Sequence, residues 1–227
     1  MLFPRSGLYL SCLPRRAHVT LLVHVEEYGD TAEEPRRNEP AQPRLIRSAA
    51  ILYGSLGLIS FVWISVRDLG LPLYDGGFLA ALLLGVLGGG ALLMFGAGLG
   101  WIFPAIRRLA GEMSRMIASG SSPGALLFLA LLSGVFEELF FRAVLQRELG
   151  LVAASVIFGL VHFVPERRFL FWTAYAVAAG FFLGFLYKLT GGLAAPVVSH
   201  VLNNAMVLLY WKYRPASARA EGPIDRQ

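Results

Sequence analysis

The chain has 227 residues, 56% hydrophobic and 15% charged, with a mean hydropathy of +0.60. Average chains carry roughly 25% charge, and here no charged side chain occurs over 31 residues from Gly76 to Ile106, 21 from Met116 to Phe136, or 19 from Phe169 to Tyr187. Apolar runs of about 20 residues cross bilayers, and a soluble protein of this size lacks the interior to hide several; a disordered, fibrous or disulfide-stapled chain is excluded.

The expected architecture is an all-α polytopic membrane protein. The net charge of +5 does not point to nucleic acid, because the arginines sit beside apolar segments, where topology signals and lipid headgroup contacts place them. The single Cys12 permits no intrachain disulfide. Residues 1–45 read as a polar, mostly disordered tail, with at most a short strand or helix around Val19–Val25. Its opening residues have too interrupted an apolar core for a signal peptide.

A first span is expected from near Arg47 to Val66, closed by Arg67 and Asp68, then a turn-rich connector to Gly77. The second span, 77–103, contains eight glycines, a density that permits close helix contact in a bilayer. Ile106–Ile117 carries apolar residues at 106, 109, 113 and 116 against Arg107, Arg108, Glu112 and Arg115, the pattern of an interfacial amphipathic helix. Ser121, Ser122 and Pro123 announce a third span over 125–146. A short apolar segment, 151–163, lies between Gly150 and Pro165. Two further spans follow at 169–188 and 193–211, joined by a Gly191–Gly192 turn. The membrane-embedded domain is thus 46–212, with about six transmembrane helices plus the interfacial helix, and 213–227 is a polar tail. Arginines and lysines alternate between connectors so that both termini are expected in the cytoplasm, with the protein multi-pass in the cell membrane.

Charge inside a span needs a reason, because a carboxylate in hydrocarbon faces a bundle interior or a wet cavity. Glu137 and Glu138 stand in the middle of the third span. Glu138 and Arg142 are four apart and form an ion pair on one helix face; Glu137, about 100° away, has no cation at that spacing. His162 closes the short helix, and His200 and Asn204 share one face of the last span. Glu137, His162, His200 and Asn204 are therefore expected to line one cavity open toward the cytoplasm. A desolvated glutamate serves as a general base toward water. His and Asn can stabilise an oxyanion, or Glu137, His162 and His200 can hold a divalent metal such as zinc. Both routes hydrolyse an amide. There is no HExxH helix, no G-x-S-x-G elbow and no cysteine in the helical core, which leaves covalent catalysis without a nucleophile. Gly180 and Gly184 read as a packing face, and Asn203 as an interhelical contact.

Three segments, EELFFR (137–142), FGLVH (158–162) and HVLNN (200–204), resemble in order the motifs of the type II CAAX prenyl endopeptidase and bacteriocin-processing family, also called CPBP or Abi-like. The resemblance covers roughly residues 125–208. It implies an intramembrane endopeptidase acting on a membrane-associated protein or peptide within the lipid bilayer. Glu137 would be the general base, with Glu138, Arg142 and Phe158 supporting it. His162 would act with Glu137, and His200 and Asn204 would form the oxyanion side. The family is widely described as metalloprotease, yet its architecture is compatible with a metal-free glutamate mechanism. A noncatalytic scaffold or immunity factor of the same fold, and a small proton-relaying transporter, are the competing readings; the transporter would call for inverted repeats, which the sequence lacks.

Overall fold

The structure, a computed structural model, describes residues 41–75, 77–118 and 120–214, and every regular element among them is helical. The expected disorder of the first forty residues and the Val19–Val25 element lie outside the described residues. The helices are α1 (Ala41–Val66), α2 (Phe78–Ile102), α3 (Pro104–Ala118), α4 (Pro123–Glu138), a π-helical segment (Leu139–Leu145), α5 (Gln146–Val161), a 3₁₀ turn (Arg167–Phe169), α6 (Leu170–Thr190) and α7 (Ala194–Tyr213).

Four stretches are long and apolar enough to cross a membrane: Pro43–Val66, Phe78–Ile102, Pro123–Val161 and Arg167–Thr190. The chain is a multi-pass membrane protein. About six transmembrane helices were expected from the sequence, the fourth of them short; the third and fourth fall together in Pro123–Val161, and α7 does not reach this standard because Ser199, His200, Asn203 and Asn204 interrupt its apolar character. The expected short fourth helix appears as the second half of α5. Gly150 breaks α5 with φ 83° and ψ 168°, a backbone region essentially restricted to glycine, so the chain turns there and a short helix continues to Val161.

Small residues set the helix spacing. Gly85, Gly88 and Gly89 of α2 lie against α7; a Cβ on Gly89 would stand 2.8 Å from Leu202 and 3.1 Å from the Ser199 carbonyl oxygen. Ser199 Oγ donates to the Gly85 carbonyl at 2.8 Å, so it points to α2 and away from His200. Gly134 of α4 meets α7 in the same way, 2.8 Å from the Val201 nitrogen for an added Cβ. Gly180 of α6 takes the approach of Ser155 and Phe158 of α5, the packing face expected of it.

The ends are capped as the sequence suggests. Ser122 Oγ accepts from the Ala125 N–H at 3.2 Å, with Pro123 opening α4. Gly191 ends α6 in the left-handed region at φ 64°, where its missing side chain matters. The α1–α2 connector is bonded to this turn, Asp75 N–H to Thr190 O at 2.9 Å and Ala194 N–H to Leu73 O at 2.8 Å. In α3 the residues turned to the bundle are Leu109, Gly111, Ser114 and Ala118, with Gly111 under the Trp211 ring. Met116 is exposed.

Candidate active site

Two polar clusters share the end of α4. The first starts at Glu138, which is fully buried together with Arg142. Arg142 Nε donates to Glu138 Oε2 at 2.8 Å and Nη1 to Gln146 Oε1 at 3.2 Å. Gln146 Nε2 in turn donates to the Gly184 carbonyl of α6 at 2.8 Å. Gly184 is required by this arrangement, since a Cβ there would lie 2.5 Å from Gln146 Oε1 and 2.9 Å from Arg142 Nη1. The guanidinium also stands over the Phe158 ring, 5.5 Å from its centroid, a favourable position for a cation. The π-helical segment spans this ladder and begins directly after Glu138; such segments recur at functional sites.

The second cluster centres on Glu137. His200 Nδ1 donates to Glu138 Oε1 at 2.8 Å, which turns its Nε2 toward Glu137 Oε2, 4.0 Å away. His162 Nδ1 lies 2.7 Å from the Phe158 carbonyl oxygen. A carbonyl can only accept, so Nδ1 carries the proton and the other nitrogen is the free one. That Nε2 lies 3.9 Å from the same Glu137 oxygen. Glu137 Oε2 is buried and has no hydrogen-bond partner. Phe158 holds the two imidazoles apart, its centroid 4.7 Å from His162 and 5.9 Å from His200. His200 and Glu137 are buried, whereas His162 is half-buried and forms the more open side.

Glu137, His162 and His200 thus converge from α4, α5 and α7. Asn204 stands apart from this trio: its Nδ2 donates to Ser133 Oγ at 3.0 Å, one turn before Glu137 on α4. Asn203 Nδ2 donates to Asn204 Oδ1 at 3.2 Å. The sequence reading overlooked Ser133 and Gln146. Both were detectable as polar residues at four-residue spacing from Glu137 and Arg142 within an apolar run.

A gap of 3.9–4.0 Å suits one water hydrogen-bonded to the carboxylate and to an imidazole, each bond being about 2.8 Å at a near-right angle. Two imidazole nitrogens and a carboxylate are also zinc donors by type. Donors bonded at about 2.1 Å to a tetrahedral ion lie about 3.4 Å apart, closer than these do. Among the described residues, no three His, Cys, Asp or Glu side chains are grouped to hold a metal ion.

Comparison with known proteins covers this part of the chain. Residues 119–206 match the family described as Rce1-like, type II CAAX prenyl endopeptidase Rce1-like. The uncharacterized protein YpbD of Bacillus subtilis (strain 168) is 36% identical over 96 residues, 42% of this chain and 50% of YpbD. The chain therefore spans half the length of that curated relative. No solved structure matches the chain significantly. The matched segment contains Glu137, Glu138, Arg142, Phe158, His162, His200 and Asn204. The family that the three motifs resemble is the one the chain matches over residues 119–206: the Rce1-like type II CAAX prenyl endopeptidases.

Proposed function

We propose that the protein is an intramembrane endopeptidase that hydrolyses a peptide bond of a membrane-associated protein or peptide, with Glu137 as general base. The observation that carries this reading is the buried, unpartnered Glu137 Oε2 facing two imidazole Nε2 atoms. Leaving a buried carboxylate oxygen without a donor costs folding free energy, which function explains and packing does not.

In the proposed step, water between Glu137 and His162 gives a proton to Glu137 Oε2 while its oxygen bonds to the scissile carbonyl carbon. Negative charge develops on the former carbonyl oxygen. His200, anchored through Nδ1 by Glu138, donates to that oxygen from Nε2 in its imidazolium form, and the second amide hydrogen of Asn204, on the same face of α7, donates beside it. The C–N bond then breaks, and the proton held by Glu137 passes to the leaving amine. Arg142 and Gln146 keep Glu138 fixed and its charge balanced, so the imidazole it orients stays in place. With both termini in the cytoplasm, as the charge distribution suggests, the half-exposed His162 side would open toward the cytoplasmic half of the bilayer.

The test is cleavage of candidate membrane peptides by purified protein in liposomes, followed by mass spectrometry. Replacing Glu137 with Gln is expected to abolish cleavage, and a chelator is expected to leave the parent rate unchanged. Reversible loss on chelation, restored by zinc, would favour a metal route instead.

A further inference from the structure

Helix α1 lies outside the segment matched to the family, and most of its surface is exposed. One face is not: Leu45, Ala49, Tyr53, Gly57, Ser60 and Ile64 recur at three and four and are its less exposed positions. Their neighbours fix a register along α4. Leu45 and Ala49 pack with Leu126 and Leu129. A Cβ on Gly57 would meet the Phe136 ring at 2.6 Å, and Ile64 packs with Leu139, Ala143 and Val144. The helices therefore run parallel, and Tyr53 falls between the Leu129 and Phe136 levels, beside Ser133 and Glu137. Its hydroxyl comes within reach of both side chains. Since Glu137 Oε2 has no partner, Oε1 is the oxygen left for the phenol. Ser133 Oγ meanwhile accepts from Asn204 at 3.0 Å and donates to the Ala130 carbonyl at 3.2 Å, so Asn204, Ser133, Tyr53 and Glu137 form one polar cluster.

We infer that Tyr53 is a positioning residue for the base: its hydroxyl, donated to Glu137 Oε1 from α1, fixes the carboxylate so that Oε2 alone faces His162 and His200. The inference rests on the reading of Glu137 as general base. A carboxylate on a rotatable stem loses its aim without a second anchor, and anchoring one oxygen leaves the other free for the water. α1 is then part of the active assembly and not only a membrane anchor.

The test compares the parent, Tyr53→Phe and Glu137→Gln in proteoliposomes by infrared spectroscopy and by turnover of a quenched fluorescent peptide carrying a hydrophobic anchor. The parent-minus-Glu137→Gln difference spectrum isolates the Glu137 carboxyl band. The expected result for Tyr53→Phe is displacement of that band, a kcat about tenfold lower and a KM within about twofold. An unmoved band overturns the inference, whether or not the peptide is cleaved, and so does an unchanged kcat. Full activity of Glu137→Gln would instead defeat the general-base reading, and a shifted infrared band in Tyr53→Phe would show that the hydrogen bond itself was correctly assigned.

Discussion

Glu137 and Glu138 are sequence neighbours with opposite circumstances. Glu138 is surrounded by donors: Arg142 on one oxygen, His200 on the other, with Gln146 and Gly184 continuing the ladder. Glu137 keeps one oxygen bare, held about 4 Å from two imidazole nitrogens. A buried charge that is fully partnered rigidifies a fold, and removing one partner is costly. A buried acceptor left open is poised to bind or react. One helix turn therefore divides labour between a structural carboxylate and a chemical one.

The comparison breaks most sharply at Glu137. Glu137→Gln is expected to lower peptide cleavage by about 10³-fold or more, read as kcat in liposomes. His162→Ala follows, with a loss of about 10²-fold at nearly unchanged thermal stability, because this half-exposed imidazole is bonded only to its own helix. Arg142→Met tests the other side: stranding Glu138 is expected to cost about 3–5 kcal/mol, seen as a lowered thermal midpoint with activity lost through unfolding. Gly150→Ala forces a side chain into a region favouring glycine and is expected to cost about 1–3 kcal/mol, measured by the same melt. The smallest effect is expected at Arg67, whose exposed pair with Glu148 at 2.9 Å lies far along α1 from Tyr53. Arg67→Ala should leave both melting and cleavage unchanged.

Much of this contrast was legible in the sequence, because it depends on spacing along single helices. Four-residue spacing paired Glu138 with Arg142 and put His200 and Asn204 on one face; Gly150 and Pro165 bracketed the short helix. Charges and prolines marked most span ends, although α1 begins at Ala41 and not near Arg47. Pro43 and Arg44 are accommodated in its first turns, where proline costs no helical hydrogen bond. What spacing did not reveal depends on contacts between helices. Nothing local indicates that the α4 helix widens into a π segment, that Asn204 reaches Ser133, or that Tyr53 sits at the Ser133 level. A tyrosine in an apolar run reads equally well as an interfacial anchor, and only the parallel register of α1 on α4 removes that ambiguity.

The most direct measurement is a paired one on Glu137→Gln and Glu138→Gln, each followed by thermal unfolding and by peptide cleavage in liposomes. Removing the open acceptor's charge at Glu137 should leave the melting midpoint at or above that of the parent while cleavage disappears. Glu138→Gln should lower the midpoint, because Arg142 loses its counter-charge. A Glu137→Gln protein that cleaves at the parental rate would contradict the account and place the general base on another residue.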